Sequence, residues 1–212
     1  MTRRRTLLTG VAGAGVLLGL GRSAATANAA VLPIRSCADW GARPPSGALT
    51  VLGDKPARIL IHHTATENVT DYSRAHADEH ARWIQDLHMD RNGWLDSGQH
   101  FTNSRGGFLV EGRHESLAAL RAGNRMVQGA HCPGQNSVAI GIENEGHYMA
   151  VEPGQAQWDS LVSFCAYACE QYGIAPTELY GHRDYLASTL CPGDKLYALL
   201  PGLRQEVARV LA

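Results

Sequence analysis

The chain has 212 residues, 44% of them hydrophobic and 18% charged, with 19 basic against 20 acidic side chains. That is enough chain to bury a sizeable core. The charge balance excludes a nucleic-acid binder, which needs clustered Lys and Arg to neutralise phosphate.

The N-terminus reads as an export signal. Thr2-Arg3-Arg4-Arg5-Thr6-Leu7-Leu8 has the twin-arginine pattern, a Gly- and Ala-rich apolar run continues to Leu20, and Ala27-Asn28-Ala29 offers a small-residue cleavage site. The run is shorter than the roughly 18 residues that span a bilayer. We expect cleavage near Ala29, a secreted or cell-wall-associated product, and no membrane span in the mature chain; a retained anchor is the alternative. Losing Arg3, Arg4, Arg5 and Arg22 leaves 15 basic against 20 acidic residues, a net charge of −5. Residues 30–212 then form one domain, without repeats or low-complexity runs. Oligomeric state is not legible, and a monomer is the default.

VLPIRSCADWGARPP reads as an irregular lead-in ending in a Pro-Pro turn. ARILIHHTAT is a buried strand built on Ile59, Leu60 and Ile61. TDYSRAHADEHARWIQDLHMD is an amphipathic helix with Ala77, His80, Ala81, Ile84, Leu87 and His88 near one side, stopped by Asn92-Gly93. Short strands follow in GQHFTNS and GFLVEGR around a Gly-Gly turn, then a strand in SVAIGIENEGHY. A helix from Gln155 to Tyr172 stops at Gly173, and LPGLRQEVARVL closes the chain as a helix. This irregular alternation predicts an α/β fold, a single mixed β-sheet with helices packed on its faces.

Five cysteines in an exported chain predict disulfides, with one left over. Cys165 and Cys169 lie four apart on a helix, where Cβ atoms are about 5–6 Å apart, whereas a disulfide needs about 3.8 Å. They cannot pair with each other, but each can reach off the helix toward Cys37 or Cys132. Buried free thiols are the alternative at each position. Parity frees Cys191 to act as a metal ligand without requiring it.

Most of the ten histidines read as solvated or packed: His76, His80 and His88 on the helix, His114 and His147 near turns. His62 and His63 differ, because they end a buried strand and point to opposite faces, so only one can join a given site. One of them, with the His and Cys of GHRDYLASTLC, makes a His2Cys set of the kind that binds catalytic zinc and leaves a position for water. A packed His182 and a buried Cys191 would fit the spacing equally.

WGARPP, ILIHHTAT, IQDLHMDRNGWLDSG, VEGR, GAH, NSVAIGI and GHRDY…TLCPGDKLY occur in this order from residue 36 to 197. In these landmarks the chain resembles the zinc amidases of the peptidoglycan-recognition-protein and phage amidase-lysozyme family, the type 2 N-acetylmuramoyl-L-alanine amidases. The resemblance implies one zinc ion per chain on His62, His182 and Cys191, with His63 structural. It implies peptidoglycan or muropeptides as the partner, and hydrolysis of the amide between the muramic acid lactyl group and L-alanine. A non-catalytic peptidoglycan-binding module is the competing expectation.

Two departures bear on catalysis. The loop 183–190 is one residue longer than in many relatives and must bulge. Gln99 stands where eukaryotic and phage enzymes carry a catalytic tyrosine, and an amide cannot act as acid or base. Glu143, in GIENEG, falls where related anhydromuropeptide amidases carry a catalytic glutamate. By alternation Glu145 shares its face, opposite Ile142. The resemblance further implies Thr189 as an oxyanion aid and His131 as a groove histidine touching substrate. Gly93-Trp94 is the pair that accompanies diaminopimelate preference, and Gln99 lies beside them in the expected substrate groove. The stretch His114–Gln128 is expected to add a groove wall.

Overall fold

The computed structural model describes residues 32–212; the export signal expected over 1–29 lies outside the described residues. Six strands form one sheet: β1 (Ile34–Arg35), β3 (Arg58–His63), β4 (Phe101–Asn103), β5 (Leu109–Glu111), β7 (Ala139–Asn144) and β8 (Leu179–Gly181). Their spatial order is β1-β5-β4-β7-β3-β8. Only β4 and β5, joined through the Gly106-Gly107 turn, run antiparallel. The expected mixed sheet is therefore present. A separate ribbon pairs β2 (Val51–Leu52) with β6 (Met126–Val127).

β3 and β7 sit inside the sheet with neighbours on both sides, which is why both read as nearly unbroken apolar runs. Ile59, Ile61, Ile140 and Ile142 face the main core, where α4 (Gln155–Tyr172) lays Phe164 against Phe101 at a ring separation of 4.9 Å. Gly173, in the left-handed conformation, caps α4 where the sequence places its end. The C-terminal helix α6 (Leu200–Val210) adds Leu203 and Val207 to this core.

The opposite face carries Leu60 with Cys132 and Ala139. Near β5 it is covered by α1 (Cys37–Trp40) and α2 (Arg74–Asp86), through Trp40 and Ala81 against Val110. α1 falls in the stretch expected to be irregular. Ser36 and Asp39 close a capping box around it and Gly41 ends it, so local hydrogen bonding makes a one-turn helix without apolar periodicity. α2 stops earlier than its pattern suggests and passes into a π-helical turn at Leu87–Arg91.

Two expectations find no support among the described residues. All five cysteines are free and buried, and no disulfide occurs among the described residues. Cys165 and Cys169 lie in the main core, whereas Cys37 and Cys132 belong to two separate clusters on the other face, so the sheet stands between the expected partners. The 114–128 stretch does not wall the site cavity described below. Instead α3 (Ser116–Ala122) buries Leu117 and Leu120, and β6 buries Met126, in the main core.

Candidate functional site

The parallel register sets His62 beside Glu143, and Thr102 of β4 on the other side of Glu143. Strand alternation puts Leu60, His62, Gly141 and Glu143 on the face opposite the main core. His182 follows β8, the neighbour of β3 on its other side. The 183–190 loop then folds back through tight turns, with the Arg183 N–H donating to the Cys191 carbonyl at 3.0 Å and the Leu186 N–H to the His182 carbonyl at 3.1 Å.

Ligand atoms of His62, His182 and Cys191 lie within 4.8 Å of one another. Cys191 Sγ is 3.6 Å from His62 Nδ1, and the two imidazoles are 4.6 Å apart between centroids. His182 Nε2 is buried without a hydrogen-bond partner among the described residues.

The proton positions follow from a relay. His131 Nε2 lies 3.2 Å from the Ala139 carbonyl, which can only accept, so Nε2 carries the proton and Nδ1 is bare. That Nδ1 lies 3.0 Å from His62 Nε2, which must donate. His62 Nδ1 is left with a free lone pair beside Cys191. Burial holds His62 and His131 well below the usual imidazole range, and neighbouring imidazoles push the same way. Burial also lowers His182. Neutral imidazole is the ligating form.

Burial pushes the Cys191 thiol up to about 12, although the His63 backbone N–H donates to Sγ at 3.3 Å. A sulfur so placed ionises readily only with a cation beside it. Burial likewise raises the Glu143 carboxyl to about 8.

These groups line a cavity of about 320 Å³. Thr189 and His131 line it too. Thr189 Oγ1 accepts the Cys191 N–H at 3.1 Å, which leaves its own proton free. Gln99 is buried in the wall; its Nε2 donates to Thr102 Oγ1 at 3.0 Å while its Oε1 has no partner among the described residues. Trp94 lies 4.7 Å from the His88 ring and covers Gly98, where an added Cβ would come within 2.5 Å of the indole.

Three residues bear on the expectations from spacing. Gly93 is exposed and off the cavity wall; its φ of +69° makes the turn that brings Trp94 in. Glu145 lies beyond the end of β7, so alternation no longer holds, and its carboxylate turns to His76 at 2.5 Å. His88, read from helical periodicity as solvated or packed, lines the cavity, because the π-helical turn carries it to the Gly98 N–H, which donates to His88 Nδ1 at 3.0 Å. The landmark IQDLHMDRNGWLDSG, which contains it, is the sequence signal that could have found it. His63 lies across the strand from His62, where its Nδ1 accepts the Tyr148 N–H at 3.3 Å, and part of it borders the cavity.

The family model described as N-acetylmuramoyl-L-alanine amidase matches residues 52–194. A human N-acetylmuramoyl-L-alanine amidase is 33% identical over 165 residues, covering 76% of this chain and 26% of the human protein. The bovine peptidoglycan recognition protein 1 is 30% identical over 202 residues, covering 94% of this chain and 95% of the relative. Among solved structures, peptidoglycan recognition protein LE in complex with tracheal cytotoxin, a monomeric diaminopimelic acid-type peptidoglycan, superposes with a TM-score of 0.67 at 27% identity, covering 80% of this chain and 92% of that one.

Proposed function

Because the chain belongs to the N-acetylmuramoyl-L-alanine amidase family, we propose that it is a zinc-dependent amidase. Its reaction would be hydrolysis of the bond between the muramic acid lactyl group and L-alanine of peptidoglycan. The carrying observation is the convergence of His62, His182 and Cys191 in a cavity that also holds Glu143.

The residues fit zinc. Two imidazole nitrogens and a thiolate are a zinc-type ligand set that leaves a position open. The unpartnered His182 Nε2 and the uncompensated thiol are groups such an ion would satisfy. When bound, zinc supplies a Lewis acid that acidifies water and polarises the substrate carbonyl. Glu143 takes the proton of the attacking water and returns it to the leaving amine, a base role open to it once a cation at the three ligands offsets the burial that raises its carboxyl to about 8. Thr189 directs its free hydroxyl proton to the developing oxyanion. His131 holds the tautomer of His62 from behind. Trp94 orients the peptide, Gln99 backs the wall through Thr102, and the Gly93-Trp94 pair supports a preference for diaminopimelate stems.

One observation favours a second reading, a recognition module that binds muropeptides without turnover. Gln99 offers only an amide, tied to Thr102, where related enzymes use a phenol. Incubating zinc-loaded protein with muropeptides and identifying new termini by mass spectrometry decides between them. Release of free stem peptide beginning at L-alanine supports the amidase; tight binding with intact substrate supports the module. The twin-arginine pattern at residues 2–8 supports export and a cell-wall location for this activity. Among the described residues, no helix is long and apolar enough to cross a membrane.

A further inference from the structure

A second set of ligand-type side chains meets outside the site cavity. His76 and His80 are four residues apart on α2 and so project from one side of the helix, with ring centroids 6.0 Å apart. Glu145, 1% exposed, comes to them from just beyond β7. Its Oε1 is 2.5 Å from His76 Nε2 and 3.9 Å from His80 Nδ1. Ligand atoms of all three residues lie within 4.8 Å of one another. The other carboxylate oxygen, Oε2, accepts the Arg105 backbone N–H at 2.9 Å, which fixes the orientation of the carboxylate as supporting bonds do at metal centres.

A buried His–carboxylate pair would account for His76 and Glu145 alone. It does not account for His80. That ring is 8% exposed, and its Nδ1, the nitrogen that comes nearest Glu145, is beyond hydrogen-bond reach of it. The ring nevertheless lines a cavity of about 480 Å³, whose walls also include Glu67, Trp83 and Ala65. Burial keeps His80 below the usual imidazole range, in the neutral form that ligates.

We propose that His76, His80 and Glu145 bind a divalent first-row transition metal ion, a second site separate from His62, His182 and Cys191. Two imidazoles and a carboxylate form a set suited to zinc, with a further position open to the cavity. An ion there cross-links α2 to the chain leaving β7. Ala65 lines both cavities, so the loop after β3 is shared between the two sites. The chain then carries two metal ions rather than the one expected from its sequence.

Cobalt(II) separates the sites, because a thiolate ligand gives a charge-transfer band and nitrogen and oxygen ligands do not. The full chain is stripped of metal and titrated with cobalt(II), following bound equivalents by equilibrium dialysis together with the absorption spectrum. The wild type binds two equivalents, one with the charge-transfer band and one with ligand-field absorption only. His80→Ala and His76→Gln each lose one equivalent and keep the band, which also reports that the fold and the cysteine site are intact. Cys191→Ser loses the band and keeps the other equivalent. The proposal is overturned if the wild type binds only the equivalent that carries the band, or if both histidine variants retain two. Loss of the band in the wild type with the other equivalent retained would refute the His62–His182–Cys191 centre instead, leaving this site supported.

Discussion

His62 Nε2 lies 3.0 Å from His131 Nδ1, and His131 is in turn held by the Ala139 carbonyl, so one backbone oxygen dictates which nitrogen of His62 is free to ligate. His131→Ala removes the acceptor and leaves both His62 tautomers accessible. Supporting partners of this kind are typically worth about 10–100-fold in metal affinity. A chelator competition should find zinc affinity lower by that factor with the circular dichroism spectrum retained. Unchanged affinity would leave His131 a substrate-facing residue only.

The same relay makes a glycine necessary. A Cβ on Gly141 would fall 2.7 Å from Cγ and Nδ1 of His131, and one on Gly129 would fall 2.6 Å from Cδ2 of the same ring. Gly141→Ala should therefore displace His131 and weaken zinc binding like His131→Ala, with a lower melting temperature. Gly202→Ala, in helix α6 with nothing within 4 Å of the added methyl, provides the contrast. It should stabilise the fold by up to about 1 kcal/mol through helix propensity and leave zinc affinity alone.

Acid should unfold the protein through histidines buried as acceptors. The Gly98 N–H donates to His88 Nδ1 at 3.0 Å, and the Gly141 N–H donates to His100 Nδ1 at 2.9 Å while His100 Nε2 faces the Val127 carbonyl. Burial lowers both rings to about 4 from an ordinary 6.5. Between those values the unfolded chain binds the extra protons, so stability is fully present above about pH 6.5 and is lost as pH falls toward about 4. Each pKa unit is worth about 1.4 kcal/mol. Urea unfolding at about pH 7 and about pH 4.5 should show a large loss for the wild type and a smaller one for His88→Asn, whose Oδ1 can still accept from Gly98. Equal losses would remove His88 from the account.

Where a residue's role depends on local periodicity, the sequence was readable. Ile59 and Ile61, the Gln155–Tyr172 helix and its Gly173 stop follow from spacing and from glycine's left-handed freedom. The His62–Glu143 pairing needed the register between strands about eighty residues apart, which no local pattern encodes. The cysteines misled because parity and compartment say nothing about which side of a sheet a thiol lies on. Glu145 misled because alternation was carried one residue beyond Asn144, where the strand had ended.

Glu143 decides between hydrolysis and recognition. It stands next to His62 across the β3–β7 register, lines the same cavity as Cys191 and Thr189, and is held protonated to about pH 8 by burial in the absence of a cation. Glu143→Gln preserves shape and hydrogen-bonding capacity but cannot move a proton. Zinc content and muropeptide affinity should stay near those of the parent, while turnover falls by about 10²–10⁴-fold, the usual worth of general acid–base catalysis. Adding Gln99→Tyr should not restore the rate fully. Gln99 is buried with its amide tied to Thr102, so a phenol meets no partner set for its hydroxyl there. Measuring kcat for muropeptide cleavage and Kd by calorimetry separates the two effects. If Glu143→Gln cleaves at the parent rate, the proton is moved by another group, and His131, on the same cavity wall, is the next to test.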